Sequence, residues 1–97
     1  MKQQAQAINE NFSVVQATDV VAAEMDGETV MMRIKSGMYY GLDNVGSRIW
    51  ELIETPRQVS QVIDRLMEEY DVERAKCQAN TLDLLNQLYE EGLIKID

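Results

Sequence analysis

Apolar and polar residues alternate between Val20 and Leu42, and apolar residues recur at helical spacing from Val45 onward. The first half therefore predicts strands and the second half helices. Val20 to Met25 is one strand-like run. Asp26-Gly27 follows, a dipeptide suited to a tight hairpin turn. The next run, Thr29 to Ile34, carries Val30, Met32 and Ile34 on one face and Thr29, Met31 and Arg33 on the other. Lys35-Ser36-Gly37 makes a second turn. The third run is Met38 to Leu42, with Met38, Tyr40 and Leu42 on one face and Tyr39 and Gly41 on the other. Asp19 to Leu42 thus predicts a three-stranded antiparallel meander, which needs a cover on one face to be stable. Phe12 to Gln16 has the composition of a strand start.

The second half supplies the cover. Asp43 is placed to cap a helix whose apolar positions are Val45, Ile49, Trp50 and Ile53, ending before Pro56. A second helix shows Val59, Val62, Ile63, Leu66, Met67 and Tyr70 on one stripe. Two starts fit it: Thr55 with Gln58 as a capping box, or Ser60 as the cap. Asp71 falls in a break. A third helix runs from about Glu73 to Glu91 and stops at Gly92. Its stripe is Cys77, Thr81, Leu84, Leu85 and Leu88, flanked by Leu82 and Tyr89, wider than one core contact needs. Leu93 to Ile96 predicts a final short strand. The expected fold is α+β: a three-stranded antiparallel meander followed by three helices. One domain occupies 19–97. Before it lies a polar tail over 1–18, with room for partial order; its stretch Met1 to Asn11 is expected to be mobile, or to order only against something else.

Composition narrows the function. The chain has 97 residues, enough for one modest core. Seventeen acidic against nine basic residues give a net charge of -8. Phosphate backbones are bound mainly through Lys and Arg, so nucleic acid is a poor partner. A single cysteine, Cys77, and no histidine exclude a disulfide, a multi-cysteine metal site and a His-activated nucleophile. Cys77 reads first as a small buried hydrophobe. Glu68, Glu69, Asp71 and Glu73 lack the alternating pattern of a calcium loop and read as a solvated helix end. No run approaches the ~18 apolar residues of a membrane span. The start of the chain has no apolar signal-peptide centre. The expectations are a cytoplasmic protein that is not an enzyme, without metal or cofactor, and binding neither membrane nor nucleic acid.

What remains is a binding surface. Tyr39 and Tyr40 lack the interleaved Lys and Arg of a base-stacking platform; packing in the sheet and lining a peptide groove both suit them. Four of six methionines, Met25, Met31, Met32 and Met38, fall within the meander, and methionine recurs on surfaces that accept varied apolar side chains. Met38 to Leu42 is an edge of the meander and contains no Lys or Pro to blunt it. Such an edge is either covered by the protein itself or kept open for an incoming strand.

The string G-M-Y-Y-G-L-D-N-V-G-S-R-I-W-E-L-I, with the later N-T-L-D-L-L-N-Q-L-Y-E-E-G-L-I, resembles the PqqD-like family of recognition elements in ribosomal peptide modification, including pyrroloquinoline quinone and lasso-peptide pathways. Leu42, Asp43, Gly46 and Trp50 occupy the family's strand-to-helix motif. Asn80 departs from it, standing where an acidic residue is expected. The resemblance covers roughly Val20 to Ile96 and implies a winged helix-turn-helix-like fold. It implies that the leader segment of a precursor peptide adds as an antiparallel strand to the third strand, in a groove lined by the third helix. It also implies presentation to a downstream peptidase or radical enzyme of the same pathway. Lasso-type leaders resemble a Tyr-x-x-Pro pattern, whose tyrosine suits such a groove. The expected peptide-binding residues are Met38, Tyr39, Tyr40, Gly41, Leu42, Cys77, Thr81, Leu84, Leu85 and Leu88. Which leucines face the groove and which the core stays open. Two other readings share the element order: a winged-helix DNA-binding regulator, and a homodimerisation module that uses the open edge on itself.

Overall fold

Asp26 and Gly27 take φ of 55° and 82°, the left-handed pair that closes a two-residue hairpin. They join β2 (Val20–Met25) to β3 (Glu28–Arg33), and β4 (Tyr39–Leu42) completes an antiparallel sheet in the order β2-β3-β4. The molecule is a computed structural model, which describes residues 7–97. Asp43 caps α1 (Asn44–Leu52), its Oδ1 accepting the Gly46 N–H at 2.8 Å. α2 (Val59–Glu69) and α3 (Arg74–Glu90) follow, with Asp71 in the break between them.

A second sheet corrects the expected order of one meander followed by helices. β1 (Ser13–Gln16) sits between β5 (Arg57–Gln58) and β6 (Ile94–Ile96), antiparallel to both. The architecture is a mixed α/β domain of two small antiparallel sheets and three helices. The winged helix-turn-helix likeness was one of element order, which the second sheet alters. Both ends of the chain had shown strand character in sequence; their pairing with each other had no local signal.

The second sheet ties down helix ends. A helix leaves unpaired N–H groups at its start and carbonyls at its finish. Neither Thr55 nor Ser60 caps α2. Its N-cap is Gln58, and the carbonyls of Phe12 and Glu10 accept from the N–H groups of Val59 and Ser60 at 2.8 and 3.0 Å. At the finish of α1, Gln16 Nε2 donates to Trp50 O at 2.7 Å and Arg57 Nε to Leu52 O at 2.7 Å. The segment before β1 also belongs to the body. Ile8 is buried, its N–H donating to Asn86 Oδ1 at 2.8 Å. Of the two outcomes expected for Met1 to Asn11, a mobile tail or one ordered by contact, the described part shows the second, and Met1 to Gln6 lie outside the described residues.

The core lies between the helices and the inner face of β2-β3-β4. Val14, Met31, Ile53, Val59, Val62, Ile63, Leu66, Leu85 and Leu93 are its largest fully buried apolar side chains, with Trp50 nearly so. β3 buries its more polar face. Thr29 and Met31 point inward, and Thr29 Oγ1 bonds Ser47 Oγ at 2.7 Å across to α1. Val30 and Ile34 are left exposed. No helix of the described residues is long and apolar enough to cross a membrane.

Gly92 ends α3 at φ 78°, with the Leu93 N–H donating to Leu88 O at 2.9 Å and the Gly92 N–H to Tyr89 O at 3.1 Å. A Cβ there would come within 2.6 Å of the Arg33 guanidinium. Arg33 lies there because it reaches Asp19 at 3.4 Å and the Glu91 carbonyl at 3.3 Å. Gly92→Ala is expected to cost about 1–2 kcal/mol from the backbone alone, measured by urea denaturation; an unchanged midpoint would mean the helix ends another way.

Candidate functional site: the furrow between β4 and α3

The hydrogen-bond parity of β4 decides what its edge offers. Arg33 N–H donates to Met38 O at 3.0 Å, so the bonded pairs continue at Met31–Tyr40 and Thr29–Leu42. The backbone groups of Tyr39 and Gly41 therefore point the other way, off the sheet. No strand among the described residues pairs with that edge. The edge is short and carries no charge or proline.

α3 faces this edge across a furrow. One cavity of about 820 Å³ is bounded by Gly41 and Leu42 on the strand side, by Val45 and Ile49 of α1, and by Cys77, Thr81 and Leu84 of α3. A second, of about 380 Å³, continues toward the end of α3 and is lined by Tyr40, Gly41, Leu42, Leu84, Leu88 and Glu91 among others. Leu84 borders both and is half-buried. The floor is apolar: Leu42, Ile49, Leu66 and Cys77 are buried beneath it. Cys77 Sγ lies 4.0 Å from Thr81 Oγ1.

Of the ten residues expected at the site, Tyr40, Gly41, Leu42, Cys77, Thr81, Leu84 and Leu88 line one cavity or the other. Leu85 lies in the core with no exposed surface and borders neither. Met38 and Tyr39 are exposed and border neither cavity, although Tyr39 supplies the outward backbone groups of the edge. Sequence reasoning missed the contribution of α1 and of the Tyr70–Glu73 break. Val45 and Val72 carried a signal, as apolar residues at helix boundaries that stay exposed.

One end of the furrow is bridged. Tyr40 Oη donates to Glu91 Oε1 at 3.0 Å, joining β4 to the end of α3. Arg33 reaches the same place through the Glu91 carbonyl. Partial burial, then the hydrogen bond to the Glu91 carboxylate, hold the Tyr40 hydroxyl above its ordinary value of 10.0. No group of three or more acidic or cysteine side chains among the described residues converges to hold a metal ion. The arrangement offers backbone hydrogen bonds, apolar walls and carboxylate rims.

A raised phenol value means the bridge is complete below pH 10 and is lost as the hydroxyl ionises above it. In ultraviolet titration, Glu91→Gln should move one tyrosine's ionisation down toward the ordinary value. An unchanged titration would show that the bridge does not form.

The family model described as coenzyme PQQ synthesis protein D (PqqD) matches residues 28–94. Among solved structures, TbiB1 in complex with the TbiA(beta) leader peptide is 34% identical with a TM-score of 0.78, over 84% of this chain and 94% of that one. Lasso peptide synthetase B1 complexed with the leader peptide is 23% identical with a TM-score of 0.75, over 84% of this chain and 96% of that one, a likeness of fold. No curated protein matches the chain.

Proposed function

The chain belongs to the PqqD family, and on that premise we propose that it is a non-catalytic adaptor holding the leader segment of a ribosomally made precursor peptide in the β4–α3 furrow. The observation that carries this reading is the juxtaposition of an unpaired strand edge with an apolar furrow. The two solved relatives each hold a leader peptide. The leader pairs antiparallel with β4, bonding the outward groups of Tyr39 and Gly41, while its side chains enter the furrow between Leu42 and Leu84.

Magnitudes say which part supplies affinity. Each backbone hydrogen bond contributes about 0.5–1.5 kcal/mol net, against about 1–2 kcal/mol to order each leader residue. Pairing alone roughly breaks even. Each apolar side chain fully buried adds about 1.5–3 kcal/mol. Pairing therefore sets register and direction, and the furrow sets affinity. Held this way, the precursor is kept at high local concentration beside the enzyme that modifies it or removes its leader.

The outer face of β2-β3-β4 suits the enzyme's side of this exchange. Val21, Val30 and Ile34 leave 49%, 45% and 56% of their surface exposed, and Tyr39 of β4 lies on the same face at 71%. Contiguous exposed apolar surface marks an interaction site. A DNA-binding role for α3 is disfavoured: Arg74 is engaged by Asp64 at 2.9 Å, and Glu73, Asp83 and Glu90 outnumber Lys76.

Gly41→Pro removes an outward N–H without touching the bonds to β3, and a Cβ there meets nothing within 4 Å. Together with Leu84→Asp it is expected to abolish binding of the leader of the precursor encoded beside this gene. Wild type should bind at micromolar affinity or better, about -8 kcal/mol, by calorimetry with circular dichroism as the check on folding. Undiminished binding by both folded variants would place the leader elsewhere. Val30→Lys should bind leader as wild type does and slow processing of the precursor by the pathway enzyme; normal processing would remove the outer face from the scheme.

A further inference from the structure

Carboxylates rim the furrow at both ends. Asp43, Asp71 and Glu73 border the larger cavity, with Lys76 as its one cation, and Glu90 and Glu91 border the smaller. Among the described residues none of these five carboxylates joins a salt bridge. Four arginines pair with other carboxylates: Arg33 with Asp19, Arg48 with Glu51 and Glu69, Arg65 with Glu68 and Glu69, Arg74 with Asp64, although Arg33 also donates to the Glu91 backbone carbonyl at the furrow's end. Arg57 donates to a backbone carbonyl at the end of α1. Asp43 caps α1 and Glu91 accepts from Tyr40, so among the described residues Asp71, Glu73 and Glu90 are the rim carboxylates with no side-chain partner, on a chain that already carries -8.

The two acidic ends have a defined order along a bound strand. Tyr40 lies beside Glu91 at the finish of α3, and Leu42 shares a cavity with Thr81 further back, so β4 runs against α3. A guest antiparallel to β4 therefore runs with α3. Its first residues pass Asp71 and Glu73, and its last pass Glu90 and Glu91. The 17 residues of α3 span about 25 Å, the length of about eight extended residues.

Resting on the leader-binding reading above, we propose that the peptide class recognised is a basic one: an apolar extended segment with Lys or Arg flanking its furrow-filling side chains at both ends. The apolar walls are sequence-tolerant. The rim charges give direction and selectivity, because a carboxylate-rich segment would meet like charge at each end.

The test is selection from a random phage-displayed peptide library longer than the furrow, panned on the full chain. Selected peptides are then measured by fluorescence anisotropy against wild type, Leu84→Asp, and the triple variant Glu73→Gln/Glu90→Gln/Glu91→Gln. The expected result is enrichment of Lys and Arg on both sides of an apolar centre. Binding should weaken roughly fivefold to tenfold in the triple variant, and roughly fivefold in wild type between about 0.05 and about 0.5 M salt. Both losses should be absent for the same peptides with Lys replaced by Gln. Peptides that depend on Leu84 but are neutral or acidic, and indifferent to salt, overturn the basic class and leave the furrow standing. Peptides indifferent to Leu84→Asp, or no selected peptide at all, overturn the furrow reading itself.

Discussion

An open strand edge is tolerable only if the elements around it are held by something else, and here the holder is the small sheet β5-β1-β6. Gln16 and Arg57 donate to carbonyls at the finish of α1. The carbonyls of Glu10 and Phe12 receive the first N–H groups of α2. β6 continues directly from the turn that ends α3, with Ala17 N–H donating to Leu93 O at 2.9 Å. Each helix is fixed at one end to β1 or to the residues flanking it. β4 then touches α3 through a side-chain bridge at one end only, Tyr40 to Glu91, and elsewhere the two stand apart with a furrow between them.

That division of labour explains the odd facing of β3. A reading by hydrophobicity alone would bury Val30, Met32 and Ile34. The molecule buries Thr29 and Met31 and directs Arg33 toward the end of α3. The cost of burying Thr29 is offset by its bond to Ser47. Arg33 and Tyr40 together pin the last turn of α3 across the furrow's end. The inward face of β3 is built from side chains that connect, and the apolar face is left outside.

Much of this was legible in the chain. Period-two alternation and Asp26-Gly27 located β2 and β3, and Asp43 and Gly92 marked helix ends that the molecule uses. The unpaired edge at Met38 to Leu42 could be read because edge protection is a matter of residue type. The small sheet could not be assembled, because pairings such as Val14–Ile96 and Ser13–Gln58 join short segments far apart. For the same reason the start of α2 is out of reach of a local reading: the carbonyls that accept from Val59 and Ser60 belong to Phe12 and Glu10, 47 and 50 positions upstream. The spacing of leucines on α3 showed a wide stripe without separating Leu84 at the furrow from Leu85 in the core, since adjacent positions differ by only about 100° around a helix.

The four-residue length of β4 carries a further consequence. A vacant margin is a template for stacking copies into fibrils, a hazard that grows with the length and flatness of the strand. This one is brief, is walled on its far side by a helix, and belongs to molecules that repel one another through their shared negative charge. A slender extended guest fits where a second folded body does not. The same small dimension that suits the proposed guest works against the stacking of copies.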